Sequence, residues 1–280
     1  MTIKVGIGLT TYRDLSQLEV GEAVFQAHRT VSSKIVPNRV KVWSKRHTVE
    51  TGPEFSALWA TNYAWTLTED RGRGEILDKS HSKIGAEWRR VNGIAGQGRV
   101  TYRSERDSND TDGITIDHDY SEKVDWLLLF KELVKVTRPS YGMLHLFTER
   151  EQTGIRDLEH FERFNSSFAG EAHFVSWRSS LGVWRKPDPW QLEERRTYRF
   201  LPQLSWANVL GEEFNGQYDR DVVARIALPL EVDTGGMAFQ ITPSLSDVEK
   251  RPDEFAAARN VLRTAFKPDF FRNGVVASAV

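Results

Sequence analysis

The seven histidines are the side chains of this chain best suited to acid–base or metal chemistry near neutral pH. They are His28, His47, His81, His118, His145, His160 and His173. None stands at a metal-ligand spacing from another histidine or from a carboxylate on a predicted helix. His145 alternates with Leu144 and Leu146, which favours a hydrogen-bonded sheet residue over a general base. The histidines therefore predict no metal site and no cofactor.

Glycine and serine motifs come close to two catalytic patterns without matching them. Gly93, Gly96 and Gly98 follow G-x-x-G-x-G, whereas a dinucleotide-binding turn needs G-x-G-x-x-G and then a helix. Residues 80–83, SHSK, have the letters S-x-x-K, but this motif starts a helix and residues 76–88 alternate like a strand. The glycines predict a hairpin loop. We therefore expect a protein that is not an enzyme, and a dispersed histidine and carboxylate site stays the alternative.

The acidic stretch at 104–122, SERDSNDTDGITIDHDYSE, is the most informative polar segment. An EF-hand loop from Asp107 needs glycine at its sixth position and glutamate at its twelfth, where Asp112 and His118 stand, so this form of calcium site is excluded. Two interpretations stay open: a solvated hairpin tip, or an acidic lobe that docks onto a basic partner protein. In the second case the predicted contacts are Asp107, Asp110, Asp112, Asp117 and Asp119.

The tryptophans and the net charge indicate which class of partner the chain could bind. The chain has nine tryptophans, and Trp184 and Trp190 flank the rigid turn at 186–190, where they either anchor a partner or form a corner of the core. Basic pairs at 89–90 and 195–196 are interleaved with acidic residues and lack an aromatic ladder. The formal net charge is −1, which gives no bulk attraction to nucleic acid or to an anionic membrane. The predicted partner is a protein.

Composition limits the class of protein further. A chain of 280 residues with 39% hydrophobic side chains can bury a substantial core. The absence of cysteine excludes disulfides, thiolate nucleophiles and cysteine-ligated metals. The N-terminal apolar run is too short for a secretory signal, and no window approaches the roughly 20 apolar residues that span a bilayer. We therefore predict a cytoplasmic protein that does not enter the membrane.

A long helix and an apolar strand adjoin within residues 119–147. Asp119 and Glu122 have the spacing of a capping box, and the apolar positions that follow cover most of the helix circumference, so we predict a buried helix near 120–137. Pro139 cannot continue this helix. Residues 141–147, YGMLHLF, then return as a strand.

Short strands and helices alternate along the rest of the chain. The predicted strands lie within residues 1–14, 76–88, 98–103, 114–116, 174–184, 222–230 and 237–241, and the predicted helices at 15–33, 53–59, 156–168 and 252–266, with a helix or turn at 203–211. This order predicts an α+β fold with mixed, mainly antiparallel sheets packed with several helices. No linker is evident, so we predict one compact domain over 1–280, or two intimately packed halves of about 1–150 and 151–280.

Five landmarks occur in order along most of the chain. They are Thr11-Tyr12-Arg13, residues 139–145, residues 204–211, residues 235–240 and residues 266–271. With these landmarks the chain resembles the immunity protein 52 family of bacterial polymorphic-toxin and type VI secretion systems. A sister family of type VI immunity proteins has similar landmarks. The resemblance implies an antitoxin whose partner is a nuclease toxin of restriction-endonuclease fold, and it carries over no interface residues.

Three functions from different classes follow from the sequence. The first is a cytoplasmic immunity protein that neutralises a cognate secreted antibacterial toxin in a tight one-to-one complex. The second is a hydrolase or transferase with a dispersed histidine and carboxylate site. The third is a structural subunit that associates with itself.

Overall fold

A ten-stranded antiparallel sheet organises the residues that the structure, a computed structural model, describes. These residues are 3–60, 62–68, 76–83, 85–102, 111–151, 203–233, 235–268 and 270–271. The strands are β1 (Lys4–Thr11), β2 (Arg39–Val42), β3 (Lys45–Thr48), β4 (Asn62–Thr68), β5 (Ile76–Lys83), β6 (Ala86–Arg90), β7 (Gly96–Thr101), β8 (Asp112–Asp119), β9 (Tyr141–Phe147), β10 (Ala207–Leu210), β11 (Leu228–Pro229) and β12 (Met237–Gln240). The sheet order is β11-β12-β10-β9-β1-β8-β7-β6-β2-β3, and β4 pairs with β5 in a separate hairpin.

Helices complete the described part of the fold. They are α1 (Leu18–Val31), α2 (Gly52–Trp59), α3 (Trp126–Thr137), α4 (Arg220–Ile226), α5 (Asp247–Lys250) and α6 (Pro252–Arg263), with a 3-10 helix at Glu212–Phe214. Mixed helices and an antiparallel sheet confirm the α+β prediction. The predicted helix at 156–168 and the predicted strand at 174–184 lie outside the described residues, and the division into domains stays a prediction.

Side chains alternate between the two faces of the sheet, and the register assigns each residue to a face. Ile7, Ile116 and Leu144 lie opposite one another on three neighbouring strands and are buried on the face that α1, α2 and α3 cover. Trp88 of β6 points to the same face, where its ring packs against Phe55 and Trp59 of α2. On the other face α6 covers β9, since its Phe255 ring lies 5.9 Å from that of His145.

The buried helix begins at Trp126 rather than near residue 120, so the predicted capping box at Asp119 was wrong. Asp119 is the last residue of β8, where its N–H donates to the Ala95 carbonyl at 2.8 Å and its carboxylate pairs with Lys4 of β1. Asp125 caps the helix instead and accepts the Leu128 N–H at 2.9 Å. Strand pairing therefore determines the structure at Asp119, although its spacing from Glu122 is that of a helix cap.

Two predictions in the second half of the chain were also wrong. Residues 203–211, predicted as a helix or turn, contain strand β10, which pairs with β9 and β12. Residues 222–230, predicted as a strand, contain most of helix α4, and only Leu228–Pro229 form a strand, β11. The Asp219 carboxylate accounts for this helix, because it caps the first turn by accepting the Asp221 and Val222 N–H groups, each at 3.0 Å.

Several other predictions are confirmed. Strands β1, β9 and β12 and helices α1, α2 and α6 lie where the sequence placed them. The N-terminus of α2 also carries a capping box that was not predicted, in which Thr51 and Glu54 bond each other's backbone N–H groups. After helix α6, Phe270 and Phe271 are buried beside Phe266.

Gly98 lies in β7 rather than in a loop, and it makes room for the Trp88 ring. A Cβ atom on residue 98 would come within 2.2 Å of Trp88 Cε2. Because Phe55 and Trp59 hold that ring from behind, we expect Gly98→Ala to lower the free energy of unfolding by about 1–3 kcal/mol. Denaturation in urea measures this. Gln97→Ala, at the exposed neighbouring position, is the control, and equal stability of the two variants would contradict this account.

Candidate partner-binding surface

The predicted acidic contacts on β8 lie on two different faces of the strand. Asp112 is 1% exposed, and its carboxylate accepts the Leu15 N–H at 2.6 Å. Asp117 is 8% exposed on the opposite face, and Asp119 is partly exposed in its pair with Lys4. Neither a solvated hairpin tip nor an acidic lobe that docks onto a partner fits residues 112 and 117, because both are buried in the sheet. Asp107, Asp110, Trp184 and Trp190 lie outside the described residues, so their contact role stays a prediction.

His145 belongs to a buried hydrogen-bonded network, as the sequence predicted. Its Nδ1 accepts the Trp206 N–H at 3.1 Å, and its Nε2 lies 3.0 Å from Glu151 Oε2. Arg259 donates to both oxygens of Glu151, at 2.8 and 3.0 Å. Burial lowers the pKa of His145; it also opposes ionisation of Glu151, but Arg259 and His145 outweigh this and hold the Glu151 pKa well below its usual range. The network is a neutral imidazole beside a closed ion pair.

His28 and His118 form a second buried group, between α1 and the sheet. Their ring centroids are 6.2 Å apart, and His118 also packs against Trp126 at 5.5 Å. His28 Nδ1 lies 2.8 Å from the Val24 carbonyl. Among the described residues, His28 Nε2 and both ring nitrogens of His118 have no hydrogen-bond partner. Burial lowers the pKa of His28 to about 4 and that of His118 to about 3, so both rings are neutral in the fold.

Exposed cations are concentrated on the second face of the sheet, across strands β3, β2, β6 and β7. The basic sheet face, as we call it, consists of Arg39, Lys41, Arg46, Arg89 and Arg99. One lateral row runs Arg46, Lys41, Glu87, Arg99 and Thr115, and the next runs Thr48, Arg39, Arg89, Gln97 and Asp117. All five cations are exposed. On β3, β2, β6 and β7 the one acidic residue that shares this face is Glu87, and β8 adds the largely buried Asp117 and Asp119, which pairs with Lys4.

Two shallow grooves cross the basic sheet face. The first is about 200 Å³ and is lined by side chains of β6, β7 and β8, including Glu87, Arg89 and Arg99. The second is about 350 Å³ and is lined by Arg39, Lys41 and other residues of β2, β3 and β6. Both grooves are lined by charged side chains of the basic sheet face.

Trp43 stands at the tip of the β2–β3 hairpin, beside this face. Its side chain is 52% exposed, and its backbone has φ 56°, a conformation that favours glycine. A large apolar residue in such a turn costs stability without filling the core. Sequence reasoning missed both Trp43 and the basic sheet face. The only signal was the alternation of basic with buried residues in β2 and β7, which does not reveal that these strands share one surface.

Three of the five landmarks of the sequence resemblance, residues 11–13, 139–145 and 204–211, meet at a cavity of about 360 Å³. The cavity is lined by Thr11, Tyr12, Arg13, Arg138, Pro139, Ser140, Gly211, Glu212 and Glu213. Arg13 donates to the Val136 carbonyl at 2.7 Å, and the Gly211 N–H donates to the Ser140 carbonyl at 2.7 Å. The first bond joins the segment after β1 to α3, and the second joins the end of β10 to the start of β9. Packing and backbone hydrogen bonding thus account for the landmarks that line this cavity.

Comparison with known proteins shows the fold. No protein-family model matches the chain, and no curated protein matches it. Within the described residues no helix has both the length and the apolar composition to cross a bilayer. Among solved structures, the chain is similar to the T6SS protein PA0821 of Pseudomonas aeruginosa, with a TM-score of 0.57, 11% sequence identity, and coverage of 96% of this chain and 73% of that chain. At this identity, what the two proteins share is the fold.

Proposed function

We propose that this chain is an immunity protein of a type VI secretion system, which binds a cognate secreted antibacterial toxin and neutralises it in a tight stoichiometric complex. The observation that carries this proposal is the similarity of fold to a T6SS protein over 96% of the chain. The sequence resemblance to the immunity protein 52 family points the same way and adds the class of toxin, a nuclease of restriction-endonuclease fold. In this proposal the chain is a cytoplasmic binding protein and not an enzyme.

The described histidines support binding over the alternative of a dispersed catalytic site. A general acid or base must come within hydrogen-bond reach of its substrate. His28, His118 and His145 are buried, and both nitrogens of His145 already have partners. His47 is partly exposed on the edge strand β3. The described part of the chain thus offers a reactive histidine little access to substrate, while it presents a broad charged surface.

Co-expression tests the proposal. The protein encoded beside this gene is produced in Escherichia coli alone and together with this chain, and growth is followed. We expect the neighbouring protein to arrest growth and this chain to restore it. A harmless neighbour that does not bind the chain, or a toxin that the chain binds without restoring growth, would overturn the proposal.

Stoichiometry separates an immunity protein from an enzyme that disables the toxin. In a nuclease assay with purified proteins, a stoichiometric inhibitor leaves residual activity that falls linearly to zero at one equivalent. An enzyme that modifies the toxin inhibits at far below one equivalent and does so progressively with time. We expect the linear titration, together with a one-to-one complex by light scattering.

A further inference from the structure

We propose that the basic sheet face is the surface that binds the toxin, and that it receives a carboxylate-rich patch of that protein. This inference rests on the proposed function and adds the place and the chemistry of the contact. It differs from the sequence prediction of an acidic contact surface, because β8 buries two of the aspartates on which that prediction depended.

Like charges lie directly opposite one another on this face. Arg39 of β2 is the cross-strand partner of Arg89 of β6, and Lys41 of β2 is the partner of Arg46 of β3. Like charges at such positions destabilise a sheet, since their Cβ atoms are only about 5 Å apart. Only Lys41 has a described counter-ion, Glu87 at 3.4 Å. The Lys41–Glu87 pair and the hydrogen bond from Arg39 to Thr48 leave the two facing pairs of like charges uncompensated, and an incoming set of carboxylates would relieve that repulsion.

The guanidinium groups of the face are available to a partner. Within the described residues, those of Arg46, Arg89 and Arg99 make no hydrogen bond or ion pair. Arginine binds a carboxylate through two parallel N–H···O bonds, which fixes orientation as well as position. At a strand spacing of about 4.8 Å, the row from β3 to β8 is about 19 Å long, which suits the centre of a protein interface.

The pattern of charges favours an acidic protein over a nucleic acid. Glu87 lies between Lys41 and Arg99 in one row, and Asp117 ends the other row. A phosphate backbone has negative charge at every step and would meet these carboxylates, whereas a protein can place a lysine or arginine opposite them. Trp43 at the rim adds an exposed indole, and tryptophan and arginine are the residues that most often dominate protein interfaces.

Charge reversal on the two faces of the molecule tests the inference. Arg89→Glu with Arg99→Glu alters the basic sheet face, and Arg29→Glu with Lys135→Glu alters exposed positions on α1 and α3 of the opposite layer. Each pair changes the net charge by the same amount. We expect the first pair to weaken binding of the toxin from the co-expression test at least 100-fold, and the second less than 3-fold. Equal effects of the two pairs would overturn the inference.

Folding and binding can be separated in the same variants. Arg89→Glu places a carboxylate opposite Arg39, so its melting temperature should be at or above that of the wild type while binding falls. Trp43→Gly removes the indole from a backbone conformation that glycine accepts, so we expect at least 10-fold weaker binding with little change in melting temperature. A lower melting temperature that accounts for the lost binding in both variants would contradict the proposal.

Two further outcomes identify the partner chemistry. Reversing the toxin's contacting carboxylates to lysine should restore binding to the Arg89→Glu, Arg99→Glu protein. If instead a 20-base-pair DNA duplex binds the wild type and the double reversal abolishes that binding, the face is a nucleic-acid site and the inference is wrong.

The growth test separates this inference from the proposed function. If the wild type restores growth and the double reversal restores it equally, the basic sheet face is not the toxin-binding surface and the immunity function stands. If the wild type does not restore growth, the proposed immunity function and the proposed binding surface are both wrong.

Discussion

Glu151→Ala is expected to lower the free energy of unfolding by about 3–5 kcal/mol, because it leaves Arg259 buried without its counter-ion. Both side chains of this pair are 11% exposed, so solvent screens their interaction little. The same substitution removes the group that lies 3.0 Å from His145 Nε2. The loss thus combines an uncompensated guanidinium with an unsatisfied imidazole N–H, at the point where α6 packs on β9.

Denaturation in urea at pH 7 measures this loss, and the exposed pair of Glu132 and Lys135 supplies the control. Lys135 Nζ lies 2.6 Å from Glu132 Oε1, but both groups contact solvent, so Glu132→Ala should cost less than about 1 kcal/mol. Because the Glu151 pKa is depressed in the fold, its contribution is present above the unfolded pKa of about 4.3 and is lost as the pH falls below it. Similar losses from the two variants at pH 7 would show that the buried network adds no stability.

Local signals account for the elements that the sequence predicted correctly. The capping box of Thr51 and Glu54 and the proline at the start of α6 act within one turn of the chain, so they can be recognised without knowing the fold. The apolar run 141–147 becomes β9, which is buried on both faces in the middle of the sheet. Such signals fix the type of an element.

Long-range pairing accounts for the elements that the sequence did not predict. The residues of β10 include the buried polar Asn208, whose side chain bonds Ser205 locally, so the segment has the pattern of a turn until β9 and β12 pair with it. Asp119 has a capping spacing in the sequence, but Lys4, 115 residues away, holds it in a strand. Neither partner is visible in a local window.

The candidate site depends on register even more than the fold does. Arg39 and Arg89 are far apart in the sequence, and only the pairing of β2 with β6 places them side by side. The predicted partner contacts at Asp112 and Asp117 were wrong for the same reason, because both residues are buried in β8, which has a neighbouring strand on each side. The sequence located the acidic stretch, but it showed neither that two of its aspartates are buried nor that basic residues of four strands share one exposed face.

We expect the buried His28 and His118 to remove about 5 kcal/mol of the free energy of unfolding between pH 7 and pH 4.5. His145, whose pKa is also lowered by burial, adds to this loss. Burial is the main cause of the lowered pKa values of His28 and His118, about 4 and about 3, and for His118 the nearby His28 adds to it. In the unfolded chain both pKa values are about 6.5. Below pH 6.5 the two histidines therefore bind protons in the unfolded state but not in the folded state, and the free energy of unfolding falls as the pH falls. Each histidine contributes up to about 1.4 kcal/mol per pH unit over about two units.

Substitution of one ring tests this origin of acid sensitivity independently of the stability that the substitution itself costs. In His118→Leu only His28 of the pair still titrates, so the fall in unfolding free energy between pH 7 and pH 4.5 should be about 2.5 kcal/mol smaller than in the wild type. Ile116→Val, two residues away on the same face of β8, should lower stability by about 1 kcal/mol equally at both pH values. If His118→Leu keeps the full pH dependence, the acid sensitivity arises elsewhere, and the two rings are merely neutral core residues.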